Sequence, residues 1–198
     1  MDTAIQFAKR GIRTKVGTDA AALITSAGDA EVLAVNTETR HNAPEEANKR
    51  IGREARAGRA AGIPFLYKKT DSALRGNVGA ELSAALTAWE ADSLPFVPAY
   101  PVMGRTTQGG IHLVDGVPVA QSEFGKDPYA PVPCSEVTCL LERQSKLPVI
   151  RRGEKRPDLP FLEVFDAQTD EDLRSIAHTL REEGRLSALA GCAGFSAV

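Results

Sequence analysis

The sequence is short of the residues that staple or metallate small proteins. Its three cysteines, Cys134, Cys139 and Cys192, are an odd number with no Cys-x-x-Cys pair, which excludes a disulfide framework and a cysteine zinc site and makes buried free thiols the expectation. Its three histidines, His41, His112 and His178, are widely separated and stand in no His-Glu-x-x-His or similar spacing, so no metal site is expected. No apolar run approaches the roughly 18 residues that a membrane-spanning helix needs, and Met1 to Arg10 read as an amphipathic stretch, not a charged leader followed by an apolar one. A cytoplasmic protein that engages no membrane is expected. Net charge is also small: 24 Lys+Arg against 26 Asp+Glu give −2, without the basic field that drives non-specific nucleic-acid binding. That balance still leaves room for a local anion site.

What is present is an ordinary globular composition, 42% hydrophobic and 25% charged over 198 residues, enough for one domain with its own core. Helix-like and strand-like segments alternate, the pattern of an α/β, three-layer domain with a largely parallel sheet and helices on both faces. Strands are expected at Ile12–Val16, Glu31–Asn36, Pro64–Lys68, Leu94–Ala99, Pro148–Arg151, Phe161–Phe165 and Leu186–Ala190. Helices are expected at Asp2–Arg10, Ala20–Ser26, Pro44–Ala60 and Asn77–Ala91, with another after the acidic turn Thr169-Asp170-Glu171-Asp172, which suits the positive end of a helix dipole. In the fourth of these helices Val78, Leu82, Ala85, Leu86 and Trp89 recur at helical spacing, which marks Trp89 as core. Asp115-Gly116 between apolar flanks signals an inserted β-hairpin, and Ser135 is expected to cap the helix that follows it.

Common enzyme signatures are absent: there is no GxxxxGK[ST], GxGxxG or GxSxG, and Gly125-Lys126-Asp127 lacks the loop and hydroxyl of a P-loop. The polar run Lys68-Lys69-Thr70-Asp71-Ser72-Ala73-Leu74-Arg75-Gly76-Asn77 instead stands between a strand and a helix, the place of the ligand crevice in open α/β sheets. Its chemistry suits a small hydroxylated anion. Lys69 and Arg75 supply cations, Arg75 with two parallel donors for a carboxylate or phosphate. Asp71, Ser72 and Asn77 can exchange hydrogen bonds with hydroxyl groups, and Gly76 permits close backbone approach. Taken singly, these residues are as well explained by turns and a helix cap; their density favours a site. A second loop, Pro98 to Gly110, carries Tyr100, Gly104 and Arg105 and also follows a strand; taken alone it is better read as a mobile, glycine-rich approach to the hairpin. A third, Asn36-Thr37-Glu38-Thr39-Arg40, is better read as Thr37 or Asn42 capping the next helix.

At these loops the sequence resembles the four-carbon acid sugar kinase family. Lys69-Thr70-Asp71-Ser72-Ala73-Leu74-Arg75-Gly76-Asn77 is similar to the family's K-x-D-S-T-L-R-G-N stretch, with Ala73 in place of the usual Thr. Pro98-Ala99-Tyr100-Pro101, Gly104-Arg105-Thr106-Thr107 and Gly110 resemble its P-A-x-P-x-x-G-R-T-T-x-x-G stretch. Asp115-Gly116, Asp127-Pro128, Asp166-Ala167 and Gly191-Cys192-Ala193-Gly194 follow in the family's order, with Cys192 where Ser is usual. The resemblance implies a domain that binds D-threonate, D-erythronate or 3-oxo-tetronate, which the family phosphorylates with ATP and Mg. Residues 1–198 would form its N-terminal sugar-acid-binding domain, truncated at both ends. The family's first strand with its Asp-Asp-x-Thr-Gly-Ala motif would fall before Met1, and the nucleotide-binding domain beyond Gly194 or on a separate chain. An acidic pair suits the orienting of a hydroxyl or a metal-nucleotide, so catalysis by this chain alone is not expected. A sheet lacking that strand would expose an edge that favours a homodimer. The contrasting reading is a non-catalytic small-anion-binding or regulatory protein derived from such a kinase.

Overall fold

The computed structural model describes residues 2–198. The first helix, α1 (Asp2–Lys9), is stopped at Gly11, whose φ of +79° is readily adopted only by a residue without a Cβ. A strand β1 (Thr14–Gly17), a short helix α2 (Ala20–Thr25) and a strand β2 (Val32–Val35) follow, with the Asp19 side chain accepting from the Ala22 N–H to cap α2. The long α3 (Pro44–Ala60) opens on proline, whose missing N–H is harmless in a first turn, and leads to β3 (Leu66–Lys69). Next come α4 (Val78–Trp89), β4 (Ser93–Val97), a three-strand meander of β5 (Arg105–Gln108), β6 (Ile111–Val114) and β7 (Val117–Pro118), and α5 (Val137–Glu142). The chain continues through β8 (Val149–Arg151), β9 (Phe161–Val164), α6 (Asp170–Glu182) and β10 (Ala188–Gly191).

The main sheet has the order β3-β10-β4-β9-β8 with every pairing parallel, so the loops after β3, β4, β9 and β10 all emerge at one edge. The expected alternation therefore yields the expected three-layer α/β fold, with two refinements. The parallel strands divide between this sheet and a separate β1-β2 pair, and the Asp-Gly hairpin grows into the antiparallel meander β5-β6-β7. Asp115 and Gly116 both have positive φ, 50° and 80°, the backbone that matches a tight turn to the twist of its strands.

Side chains alternate across the sheet. Leu94 and Phe96 of β4, Leu162 and Val164 of β9, and Ala188 and Ala190 of β10 face a core shared with Leu82, Leu86 and Trp89 of α4 and Leu140 and Leu141 of α5. On the opposite face Val97 and Phe165 pack with Leu173 and Leu180 of α6, and with Tyr67 and Leu189. Thr169 and Asp172 form a reciprocal capping box at the start of α6, as the acidic turn anticipates.

Ser135 departs from expectation. The residue before α5 is Glu136, while the Ser135 hydroxyl accepts from the Ala120 N–H at 2.9 Å, because the chain there is still tied to the meander and the helix has not begun. Gly79 shows how tightly α4 and α5 meet: a Cβ at this position would lie 2.6 Å from the Leu141 carbonyl oxygen and 2.9 Å from Gln144 Cβ. A glycine-to-alanine change within a helix normally stabilises by about 1 kcal/mol. Gly79→Ala is expected to do the opposite, lowering stability by about 1–3 kcal/mol through overpacking, read as a lower urea midpoint at unchanged m-value.

Candidate functional site

The loop from Thr70 to Asn77 leaves β3 at the edge where β10 and β4 also end. Its first amide, Thr70 N–H, donates to the Gly191 carbonyl of β10 at 2.8 Å. Two sharp turns follow, with φ of +62° at Leu74 and +87° at Gly76. A left-handed leucine costs of order 1–3 kcal/mol, and here its side chain is fully buried in the main core, which holds the loop against that strain.

Within this loop the Asp71 carboxylate is nearly buried and heavily bonded. It accepts from Arg75 Nε at 3.0 Å and Nη2 at 3.1 Å, from Arg40 Nη2 at 2.8 Å, and from the backbone amides of Ala73 and Arg75. Burial pushes its pKa up, but the hydrogen bonds from Arg75 and the charges of Arg40 and Arg75 outweigh this and hold it below the ordinary 3.8. Arg75 in turn reaches Asp127 at 3.3 Å, and its guanidinium carbon lies 5.0 Å from the centroid of the Phe124 ring. Backbone amides of Ala130 and Tyr129 donate to Asp127 and lower its pKa.

Arg105 approaches from the neighbouring loop. Its guanidinium carbon is 5.7 Å from the same Phe124 centroid, its Nη1 donates to the Met103 carbonyl, and Asp115 stands 3.8 Å away on an exposed side chain. Arg105 Nε is buried without a hydrogen-bond partner, an arrangement that is costly for a charged donor.

His112 of β6 joins the two loops. It is fully buried, its Nε2 lies 2.8 Å from the Ser72 carbonyl oxygen, and its Nδ1 lies 3.0 Å from the Thr107 hydroxyl of β5. Burial lowers its pKa to about 4, so the ring is neutral. The only tautomer that satisfies both partners carries the proton on Nε2 and accepts from Thr107 at Nδ1.

The residues singled out in the sequence fall into two groups. Asp71, Ser72, Arg75 and Arg105 share one neighbourhood at the sheet edge. Tyr100 and Gly104 frame the turn that presents Arg105: Tyr100 and Arg105 exchange both backbone hydrogen bonds, and a Cβ on Gly104 would lie 1.9 Å from an Asp115 carboxylate oxygen. Lys69, Gly76 and Asn77 are engaged elsewhere. The Lys69 ammonium pairs with Asp2 at the start of α1 at 3.1 Å, separate from the partners of Arg75. The space beside Gly76 is taken by Arg40, whose backbone oxygen would be 3.0 Å from an added Cβ. The buried Asn77 amide donates to the carbonyls of Thr39 and Asn42, which leaves it a strut between loops.

Arg40, His112, Phe124 and Asp127 complete the cluster and carried no assigned role in the sequence reading. Arg40 lies in the third loop, where a helix cap is the expectation; α3 is in fact preceded by Ala43 with no side-chain cap, and the loop delivers Arg40 to Asp71. The position of Arg40 just past β2 is the signal that was available.

Asp71 has a depressed native pKa, so its stabilisation is complete above about pH 3.8 and disappears as pH falls through the native value. Asp71→Asn is expected to lose about 2–3 kcal/mol at pH 7, because it leaves two guanidinium groups without their shared carboxylate. The gap to the native chain should narrow below about pH 4, measured by urea titration at several pH values.

Residues 1–198 match a family described as a sugar-binding N-terminal domain. A D-threonate kinase of Salmonella typhimurium is 34% identical over 98% of this chain and 49% of its own length. A D-erythronate kinase of Heliobacterium modesticaldum is 34% identical over 75% of this chain and 38% of its own. The chain thus spans about half the length of the kinases it matches. A crystal structure of a domain of unknown function from Bordetella bronchiseptica, a domain-swapped dimer with bound citrate, superposes with a TM-score of 0.86 at 34% identity, over 99% of this chain and 51% of that one. The parallel sheet edge with its arginine-carboxylate cluster is accordingly that of a chain belonging to the sugar-binding N-terminal domain family, the sugar-binding part of the four-carbon acid sugar kinases.

Proposed function

We propose that this chain binds a four-carbon sugar acid, D-threonate, D-erythronate or 3-oxo-tetronate, on behalf of a kinase that phosphorylates it with Mg-ATP. The observation that carries the reading is the arginine cluster at the sheet edge, with the Arg105 Nε buried and unpartnered beside it. Arg75, whose donors are shared between Asp71 and Asp127, supplies positive charge, and Arg105, with its unpartnered Nε, supplies charge and a donor for a carboxylate. Asp71 fixes the pose of Arg75, and the half-buried Ser72, next in the loop, brings a hydroxyl that can meet one of the substrate's. Lys69, at the β3 end of the same edge, adds positive potential.

Among the described residues no group of three or more His, Cys, Asp or Glu side chains is placed to hold a metal ion. In this reading Mg-ATP is held by a nucleotide-binding domain or a separate chain, in keeping with relatives twice as long. No helix among the described residues is long and apolar enough to cross a membrane. The swapped dimer of the Bordetella relative supports a homodimer for this chain as well.

The deciding experiment is a thermal-shift titration against D-threonate, D-erythronate, 3-oxo-tetronate and, separately, Mg-ATP. One sugar acid at about 100 times its Kd is expected to add about 2.7 kcal/mol, several degrees for a domain of this size, with no shift from Mg-ATP. Arg75→Ala should fold and abolish the sugar-acid shift. Stabilisation by Mg-ATP and by none of the acids would overturn the assignment.

A further inference from the structure

We propose that Phe124 is a positioning residue of the anion site, whose aromatic face holds the guanidinium groups of Arg75 and Arg105. The inference rests on the sugar-acid reading and adds the device that presents both cations to the ligand.

Both guanidinium carbons lie within 6 Å of the centre of this one ring, at 5.0 and 5.7 Å. That is the range in which the negative face of an aromatic ring attracts a cation. The two arginines come from different loops, and no hydrogen bond or ion pair links one to the other among the described residues; the ring is what they share. Their compensation is unequal. Arg75 has Asp71 and Asp127, whereas Arg105 has only the exposed Asp115 at 3.8 Å and keeps its buried Nε without a partner. Two like charges gathered at one ring, one of them under-compensated, form a site that an added anion relaxes.

Phe124 is also placed by backbone constraints that core packing alone does not require. Its N–H donates to the Ser122 hydroxyl at 3.2 Å and its carbonyl accepts from the Val132 N–H at 3.0 Å. Its neighbour Gly125 lies so close to the preceding turn that a Cβ would come within 2.0 Å of the Ala120 carbonyl oxygen. Three residues on, Asp127 delivers a carboxylate to Arg75. One short segment thus provides Arg75 with both an aromatic ring and a counter-charge, and places the same ring 5.7 Å from Arg105. Phe124 packs, partly buried, against the main core, so an aliphatic side chain of similar reach would keep much of that packing and lose the π face.

That difference is the test. Phe124→Leu and Phe124→Tyr are compared in the 198-residue chain by the arginine Nε–Hε resonances of the free protein and by the Kd for the sugar acid that the wild type binds. In the wild type and in Phe124→Tyr, the Arg75 and Arg105 resonances should be ring-current shifted. In Phe124→Leu they should move to ordinary positions, with sugar-acid affinity weakened about ten-fold. Phe124→Tyr should keep affinity to within about two-fold; a purely packing role would give the same affinities but no ring-current shift of the arginine resonances. Unshifted arginine resonances in the wild type, or equal affinity in Phe124→Leu, would overturn the role of Phe124. The resonance measurement needs no ligand, so a wild type that binds no sugar acid would count against the proposed function and leave the positioning by Phe124 to be judged on the spectra.

Discussion

The pairing of the Asp71 carboxylate with two guanidinium groups is the constraint from which the rest of the site follows. A carboxylate this poorly exposed costs several kcal/mol in desolvation unless its oxygens are well bonded, and here five donors converge on it. The donors come from two stretches of chain, the loop after β2 through Arg40 and the loop after β3 through Arg75. Asp127 brings in a third stretch. Arg40 and Arg75 against Asp71 and Asp127 sum to zero charge, so this group is self-contained. Arg105, opposite the exposed Asp115 at 3.8 Å and with its Nε unpartnered, is the less compensated cation beside it.

A second, neutral connection keeps the Arg105 loop in register with the Asp71 loop. His112 is buried between the Ser72 carbonyl and the Thr107 hydroxyl, and its pKa of about 4 means that it spans them without adding charge. Lysine or arginine in that position would bring a charge into a fully buried place; a neutral imidazole satisfies both loops. Electrostatic complementarity is thus concentrated on the arginines, while the spacing of the loops is set by neutral groups.

Much of the scaffold was legible in the residues. Alternating apolar segments, the Pro44 start of α3, the capping box of α6 and the Asp115-Gly116 turn each carry a local cause, and each stands where it was expected. What local pattern does not carry is the pairing of distant segments. The β1-β2 pair reads like any other two strands, and only tertiary structure separates it from the main sheet. The same reason hid Arg40, whose partner Asp71 is 31 residues away, and Phe124, whose partners Arg75 and Arg105 are 49 and 19 residues away. It also led to Asn77 being read as a ligand group: its neighbours are polar, but its amide is used up on the carbonyls of Thr39 and Asn42. A polar residue beside a crevice is available to a ligand only after the backbone around it has been satisfied.

The strand β10 sets how far apart the two arginine-bearing loops begin. It lies between β3 and β4, so the loops that carry Arg75 and Arg105 start two strand spacings apart, about 10 Å. A side chain at Gly191 or Gly194 would collide with the backbone of β4 or its following loop, at 2.6 Å from the Val97 oxygen and 2.7 Å from the Ala99 oxygen. These glycines let the end of β10 sit flush against the β4 loop and keep its own side chains out of the space above. The guanidinium carbons of Arg75 and Arg105, which start from the ends of different strands, thereby come to 5.0 and 5.7 Å from the centre of one aromatic ring.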